Sequence, residues 1–433
     1  MSLLSMGTSP SGLTAISILG FIGWYLLSAI YVWYRLRHIP GPPLAKFSYL
    51  WLARLSFSGK ECENFRNIGR QYGRLVRVGP NDLTTDDPET IRYMCSSRSQ
   101  YTKSGWYEGN RFNPYHATMF SMLDTVAHDK LKGKVTPGYT GRDTPGLEVY
   151  HPAWRSRVDL TGPITSHTAL YLDVISKIAL GKEFGCLDSD SDPYDFYGTL
   201  EQHLPQMGLT PAECDVETLL LFFAGSHTTA GAIVITLLYL FTALMAYQRL
   251  KEEIVAAVRE KRVSIPITNT ESKKLPYLQA SVPFLSPHAV VYEGLRMRPA
   301  TVGMLSKMVP PNGDTIQGKF IPGGTPIGMN LALALRSKSC FGEDADVFRP
   351  ERFLEKDEKT RGEMQHNVDL TFGYGRWLCA GKYIAMMELN KTYFELFRAF
   401  DFQVMHPEKP MSSSSHVLFT DKNFHVRVTE TAT

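Results

Sequence analysis

An apolar stretch without any charged side chain runs from Leu13 to Tyr34, near the beginning of the chain. A helix of about twenty residues rises roughly 30 Å, which is the thickness of the hydrocarbon core of a bilayer. Arg35, Arg37 and His38 follow at once, and no charged residue precedes the stretch. By the positive-inside rule, this pattern predicts one membrane-spanning helix with the rest of the chain in the cytoplasm. A cleaved signal peptide is the alternative, but its apolar core is shorter and its basic residues come first.

A second apolar stretch extends from Leu219 to Ala246, and a helix-start pattern precedes it. Thr210 suits the N-cap, Pro211 suits the first turn, and Glu213 completes a capping box. A helix that is apolar on every face either crosses a membrane or lies at the centre of a large domain. The polar tetrapeptide at positions 226–229 is costly in lipid but useful beside a polar ligand, so it favours a buried central helix. A second membrane span is the alternative.

Cys379 lies just before a third apolar pattern, which has helical periodicity. Gly373 and Gly375 precede it and permit a tight turn. At a helix N-terminus, the helix dipole and free backbone N–H groups stabilise a thiolate, which then serves as a nucleophile or a metal ligand. A buried structural cysteine is the alternative. A dinucleotide-binding motif is excluded, because Leu378 stands where its third glycine belongs.

The composition narrows the class of protein. The 433 residues, of which 43% are hydrophobic, provide a large core and exclude a disordered chain, and the net charge of +3 gives no reason to expect nucleic acid as a partner. The six cysteines are widely spaced and form no C-x-x-C pair, which argues against a zinc ribbon or a disulfide scaffold. The proline-rich segment 39–43 cannot continue a helix. We therefore predict a membrane anchor over residues 1–37 and one globular domain over residues 38–433.

The decapeptide from Phe372 to Gly381 resembles the haem-binding loop of the cytochrome P-450 superfamily, F-x-x-G-x-R-x-C-x-G. The resemblance implies that Cys379 is the axial ligand of haem iron. The family's arginine position holds Trp377 here, with Arg376 beside it, a form similar to that of fungal pisatin-demethylase-type members. Either Trp377 or Arg376 is therefore a candidate to contact a haem propionate.

The central helix resembles the oxygen-binding motif A-G-x-[DE]-T-T of the same family, as Ala224-Gly225-Ser226-His227-Thr228-Thr229. By this resemblance, Thr228 is the alcohol that directs protons to bound oxygen. His227 stands where the family has an acid, so it is either a proton-transferring group or a histidine packed in the helix.

Two further blocks resemble the structural motifs behind the haem. Glu293 and Arg296 match E-x-x-R, a spacing that places them on one helix face, and Arg352 lies in a P-E-R-F block downstream. The resemblance implies a buried Glu293–Arg296–Arg352 network, which is stable only when every charge is paired. His128 and Lys132 occupy the positions of W-x-x-x-R and are candidates to bind propionates. Lys130 and Lys134 are either solvated or part of a basic patch for an acidic reductase.

Together these motifs imply a mainly α fold with minor β structure, the cytochrome P-450 fold, carrying one N-terminal transmembrane helix. They imply a monooxygenase with haem b that oxidises a lipophilic small molecule in fungal secondary metabolism, and receives electrons from an NADPH-dependent reductase. The location expected is the endoplasmic reticulum membrane, single-pass, with the haem domain in the cytosol. A haem-thiolate isomerase or dehydratase that does not use O₂, and a non-catalytic haem-binding relic of a defective gene model, are the alternatives.

The chain departs from the family at two places. Only about thirty residues separate Gly181 from Thr210, where the family has over a hundred, so helices that cover the substrate pocket are expected to be missing. Residues 281–289 intervene between two motif-bearing helical segments, and Pro283 and Pro287 would each break a helix at a cost of about 3 kcal/mol. We predict an irregular loop there, with regular helix resuming near Val290. A translated intron and a skipped exon, or a divergent enzyme, would explain these departures.

Overall fold

The computed structural model describes residues 10–139, 208–275, 277 and 289–431. The described part of the chain is mainly helical, with 53% helix and 12% strand, which confirms the predicted mainly α fold with minor β structure. The α-helices of the described residues are α1 (Pro10–Arg35), α2 (Leu50–Ser56), α3 (Glu61–Tyr72), α4 (Pro88–Cys95), α5 (Thr125–Tyr139), α6 (Pro211–Thr242), α7 (Leu244–Arg259), α8 (Asn269–Ser272), α9 (Ala289–Met297), α10 (Leu331–Ala334), α11 (Lys338–Phe341), α12 (Glu358–Val368) and α13 (Lys382–Ala399).

Within the described ranges, the strands form one five-stranded sheet and three two-stranded sheets. The large sheet has the order β1-β2-β7-β4-β3, in which β2 and β7 are parallel and the other neighbours are antiparallel. The small sheets pair β5 with β6, β8 with β11, and β9 with β10. The strands are β1 (Leu75–Arg77), β2 (Leu83–Thr85), β3 (Thr102–Lys103), β4 (Lys307–Met308), β5 (Asp314–Ile316), β6 (Lys319–Ile321), β7 (Pro326–Met329), β8 (Phe400–Val404), β9 (Ser412–Ser415), β10 (Phe419–Lys422) and β11 (Val426–Glu430).

Helix α1 contains the predicted apolar span. Its window Ile16–Arg35 is long and apolar enough to cross a membrane, and none of it is buried in the protein. An exposed apolar helix of this length agrees with a membrane anchor, although length and composition alone fit a signal sequence as well.

Helix α6 begins as the sequence predicts. The hydroxyl of Thr210 accepts from the Glu213 N–H, and the Glu213 carboxylate accepts from the Thr210 N–H, so the capping box is complete. The helix is also long and apolar enough to cross a membrane, but half of that apolar window is buried inside the protein. Ile233 and Leu240 are fully buried in a core cluster shared with α7, α9 and α13. The packing therefore favours the central-helix prediction over a second span.

Two predictions concern residues outside the described ranges. The segment between Gly181 and Thr210 is described only from residue 208, and the inserted segment 281–289 is described only at Ala289. Helix α9 is present from Ala289, and all nine of its residues are buried. Regular helix is therefore found at Val290, where it was predicted, while the loop itself is not covered by the description.

Candidate active site

Cys379 lies two residues before the N-cap of α13, which is Gly381. Its backbone N–H donates to the carbonyl oxygen of Phe372 at 2.6 Å, which closes the loop. Cys379 is solvent-exposed, yet burial by surrounding protein atoms raises the pKa of its thiol. The backbone N–H groups of Gly381 and Lys382 act in the opposite direction, because they donate to the sulfur. The thiol is therefore accessible from solvent, with helix-terminal donors directed at it.

Two glycines give the loop its shape. Gly373 has φ +76°, and a Cβ atom there would lie 2.5 Å from the carbonyl oxygen of Trp377. Gly375 has φ +55°, and its Cβ atom would lie 2.5 Å from the carbonyl oxygen of Cys95. Both positions demand a residue that tolerates positive φ and has no side chain. The loop geometry that presents Cys379 is therefore set by glycine at these positions.

Trp377 lies at the centre of a cluster of basic side chains. The His128 ring packs against it with centroids 4.7 Å apart. The ammonium groups of Lys103 and Lys307 lie 5.0 and 5.1 Å from the centroid of the Trp377 ring. Lys103 belongs to β3 and Lys307 to β4, so the pairing of these strands places both lysines together. Sequence reasoning missed both lysines.

The two lysines are buried without a carboxylate partner at hydrogen-bonding distance among the described residues. Lys103 donates to the carbonyl oxygens of Met119 and Phe120 at 2.8 Å, and Lys307 donates to the Tyr107 hydroxyl at 2.5 Å. Burial lowers the pKa of Lys103 to about 6 and that of Lys307 to about 8. The Lys103 amine is therefore mostly neutral at physiological pH by itself, and a nearby anion would restore its charge, because an anion stabilises the ammonium form.

The other residues predicted to contact the haem propionates have partners within the protein. Lys132 donates to the carbonyl oxygens of Arg376 and Leu378, at 2.8 and 2.7 Å, and so braces the cysteine loop. Arg376 pairs with Asp129 at 3.1 Å and donates to the Ser97 carbonyl oxygen at 3.0 Å. His128 also contacts Asp129, at 2.9 Å between Nδ1 and Oδ1. Burial lowers the pKa of His128 to about 4, so this ring is neutral at physiological pH.

The middle of α6 opens onto a cavity. His227 is exposed and Thr228 is half-buried, although Val216 before them and Ile233 after them are buried. The Thr228 hydroxyl donates to the carbonyl oxygen of Ala224 at 2.5 Å. The cavity wall consists of His227, Thr228, Gly231, Ala232, Arg298, Ala300 and Phe419. His227 therefore faces open space instead of packing in the helix.

Arg298 makes one wall of this cavity polar. It forms a two-pronged pair with Asp421, at 2.9 and 2.5 Å, and donates to the carbonyl oxygen of Gly231 at 3.3 Å. The apolar sequence around positions 222–223 and 302–304 also suggests a lipophilic substrate; Val302 and Met304 are buried, and Phe223 stacks on Phe112. The side chain of Phe222 lies outside the description.

Glu293, Arg296 and Arg352 meet in a fully buried network, at 0% exposure each. Arg296 donates to the Glu293 carboxylate at 2.7 and 2.8 Å, and Arg352 donates at 3.0 and 3.2 Å. The backbone N–H of Arg349 adds a bond to Oε1 at 2.7 Å. The remaining guanidinium donors bind Asp344 and backbone carbonyl groups. The network therefore satisfies the condition for burying three charges, because each charge is paired and hydrogen-bonded.

The residues present fit a haem. The exposed thiol of Cys379 is a donor suited to iron, and the buried lysines beside Trp377 are groups that carboxylates such as those of haem propionates would hold in the charged form. A cysteine-ligated haem defines the class of haem-thiolate enzymes. The comparisons with known proteins agree with this class.

The family model described as cytochrome P-450 matches residues 188–428. The cytochrome P-450 monooxygenase aba1 of Botryotinia fuckeliana is 39% identical to the chain, over 91% of the chain and 92% of the relative. The cytochrome P-450 monooxygenase abl1 of Leptosphaeria maculans is 38% identical, over 95% and 86%. The pisatin demethylase of Fusarium vanettenii is 26% identical, over 88% of each chain. The chain belongs to the cytochrome P-450 family, and its relatives support a monooxygenase.

The alignment with the aba1 relative also bears on the segment that is expected to be missing from the chain. Its aligned length of 477 positions exceeds the 433 residues of the chain. The relative therefore has residues that find no counterpart here. This result agrees with the expectation that the chain lacks a segment common in the family, and it does not locate that segment.

Proposed function

We propose that the protein oxidises a lipophilic small molecule in fungal secondary metabolism, with electrons from an NADPH-dependent reductase. The observation that carries the proposal is the exposed thiol of Cys379, at which the N–H groups of Gly381 and Lys382 are directed. The relatives add the metabolic setting, since they include fungal monooxygenases and pisatin demethylase. Turnover of O₂ distinguishes this function from a haem-thiolate isomerase or a haem-binding relic.

Two groups of residues would hold the haem, one in the cysteine loop and one around Trp377. Cys379 would bind the iron, with Phe372 and Gly381 shaping the loop around the thiolate. Lys103 and Lys307 would neutralise the propionates, and His128 and Trp377 would pack beside them. When bound, the haem supplies the activation of O₂, which a thiolate ligand favours. The protein contributes charge compensation, orientation and the thiolate itself.

Thr228 and His227 would manage protons in the cavity. The Thr228 hydroxyl donates to the Ala224 carbonyl oxygen, so its own oxygen stays open to accept a hydrogen bond from water or another donor. His227 lies on the wall of the same cavity, and its ring nitrogens can both donate and accept hydrogen bonds. This pair would therefore pass protons from solvent toward the reacting oxygen.

The anchor and the reductase complete the proposal. Helix α1 would hold the protein in the endoplasmic reticulum membrane with the haem domain in the cytosol, where a membrane-bound reductase meets it. Lys130 is exposed on α5, the helix that also carries His128 and Lys132. The Lys134 ammonium group donates a hydrogen bond to the Gly208 carbonyl oxygen. Lys130 would therefore contribute more than Lys134 to a basic surface for an acidic partner.

The test is the spectrum of the ferrous protein with carbon monoxide, which absorbs far to the red when the ligand is a thiolate. Cys379→Ala should abolish this band and most haem retention, because no other group replaces the thiolate. Cys340→Ala is the matched control, since Cys340 is also a free cysteine but its sulfur accepts a hydrogen bond from the Asn367 amide. This control should keep the band. A thiolate spectrum that survives in Cys379→Ala would exclude Cys379 as the ligand.

A further inference from the structure

Arg77 on β1 is fully buried and binds only backbone carbonyl groups. Its guanidinium donates to the carbonyl oxygens of Val32, Trp33, Lys46, Gly79 and Pro80, at 2.5–3.3 Å. No salt bridge among the described residues includes Arg77, although burial lowers its pKa only to about 10 and leaves it charged. A buried arginine without a carboxylate is expensive, so its arrangement calls for a structural reason.

Val32 and Trp33 belong to the last turn of α1, which ends at Arg35. The last four carbonyl groups of a helix have no partner within the helix, and the C-terminal end of the dipole is negative. The Arg77 guanidinium supplies both hydrogen bonds and positive charge at this end. It thus caps α1 from the globular domain, and the same group holds Lys46 of the following segment.

Further contacts fix the end of α1 on the domain. Arg35 donates to the carbonyl oxygen of Gly323 at 2.8 Å, and the His38 ring bonds to the carbonyl oxygen of Phe320 at 2.9 Å. The Trp33 ring stacks on Phe47, with centroids 6.4 Å apart and an angle of 13° between the planes. Leu36, directly after the helix, is fully buried. The connection is therefore packed and hydrogen-bonded, in contrast to a free hinge.

Large apolar side chains surround this junction and remain exposed. Leu44, Phe47 and Leu50 are 51%, 53% and 72% exposed, and Phe320 is 56% exposed. We call these four residues the junction patch. Phe47 stacks on α1, and Phe320 is the residue whose carbonyl group binds His38, so the patch continues the apolar surface of the helix. The segment 44–57 contains Lys46 and Arg54 and no acidic residue, which suits an anionic lipid surface.

We propose that Arg77 locks the end of α1 to the globular domain and thereby presses the junction patch into the lipid surface that α1 enters. The inference rests on the proposal that α1 spans a membrane. A lipid occupant is favoured over a protein because the patch is continuous with an exposed apolar helix and is flanked by basic residues. Arg77 is thus a residue that sets how the domain lies on the membrane.

The test uses the full-length protein in vesicles of phosphatidylcholine and phosphatidylserine at about 4:1, with a photoactivatable diazirine in the acyl chain. Mass spectrometry of peptides then reports which segments contact lipid. We expect labels on α1 and on the peptides that contain Phe47, Leu50 and Phe320. A peptide containing Val347, which is exposed and apolar but outside the patch, should carry no label.

Arg77→Leu should reduce labelling of the patch relative to α1 by about fivefold or more, because the cap and its hydrogen bonds are lost. Arg74→Leu is the matched control, since Arg74 is exposed and pairs with Asp87 near the same strand, and it should leave the pattern unchanged. Should Arg77→Leu fail to fold, Arg77→Lys replaces it, because lysine keeps the positive charge but cannot reach all five carbonyl groups, and it should also reduce patch labelling.

Each outcome decides a different part of the inference. Labels on α1 without labels on the patch would overturn the inference while supporting the anchor. Equal patch labelling in wild type and Arg77→Leu would exclude the lock. Labels on neither segment would overturn the anchor itself. An unlabelled patch in a protein that forms dimers would assign the patch to a second copy of the chain.

Discussion

Replacing Glu293 by Gln removes one negative charge from the buried network and keeps the size of the side chain. Both guanidinium groups of Arg296 and Arg352 then lie at 0% exposure without a carboxylate between them. The new amide group also places its N–H donors opposite the N–H donors of the two guanidinium groups. The variant therefore isolates the charge of Glu293, with little change in packing volume.

The cost follows from the bonds that are lost. Glu293 accepts from Arg296, Arg352 and the Arg349 N–H, and the first two partners are charged. Removing one partner of a buried ion pair costs about 3–5 kcal/mol, because the other charge stays buried. The free energy of unfolding of a domain is about 5–15 kcal/mol in total, so Glu293→Gln should lose a large part of its stability. With a slope of about 3 kcal/mol per molar urea, the midpoint should fall by up to about 1–2 M.

The assay is urea unfolding followed by circular dichroism, with the haem content of the purified protein as a second measure. Glu89→Gln is the matched control, because Glu89 and Arg92 have the same E-x-x-R spacing while the Glu89 side chain is 81% exposed. An exposed pair contributes only about 0–1 kcal/mol. If the Glu293→Gln midpoint lies as close to wild type as that of Glu89→Gln, the network does not stabilise the fold as argued.

Four further predictions follow from the site and the core. Thr228→Ala should release peroxide in place of product during NADPH oxidation, because proton delivery is disturbed, whereas Thr228→Ser should restore coupling; unchanged coupling in the alanine variant would exclude the role. Lys307→Met should weaken haem binding in a titration of apoprotein by at least about tenfold and Lys307→Arg by much less, since only arginine keeps the positive charge; equal affinities would contradict a propionate contact. Burial raises the pKa of Glu388 from 4.5 to about 8, so the folded state holds this proton more tightly, and wild type should lose stability relative to Glu388→Gln as the pH rises from about 5 to 8; parallel unfolding midpoints across that range would refute this. Deletion of residues 281–289 should raise the yield of soluble, haem-loaded protein, and a lower haem occupancy would show that the segment belongs to the fold.

The sequence predicted those features that depend on local chemistry. The capping box of α6 is found because Thr210 and Glu213 are three residues apart and need no distant partner. The position of Cys379 before α13 is found for the same reason, since glycine, cysteine and helical periodicity are neighbours in the chain. The motif blocks around Glu293 and Arg352 were placed by resemblance, because several other E-x-x-R pairs in the chain are indistinguishable by spacing alone.

The features that the sequence did not predict depend on distant strand pairing. Lys103 and Lys307 are more than two hundred residues apart, and the antiparallel pairing of β3 with β4 brings them together. Each is a single lysine among uncharged neighbours in the sequence. Such a lysine cannot be distinguished by sequence from one whose charge is solvated at the surface. Arg77 is similar, because its partners are backbone carbonyl groups of α1 and the following segment, and no side-chain motif marks such a site. Arg298 was missed because its partner Asp421 lies near the end of the chain.

Helix α9 begins directly after the segment that the sequence analysis predicts to be an insertion. Ala289, the last inserted residue, is fully buried as the first residue of α9, so the core needs an alanine at that position. Deleting residues 281–289 would bring Ala280 to the position of Ala289, and the buried side chain would be the same. Glu293 of α9 accepts from Arg352 and from the backbone N–H of Arg349, and Arg352 in turn binds Asp344, all of which lie downstream of the helix. Because these partners of the network lie downstream of residues 281–289, we expect the deletion to retain the network and the haem.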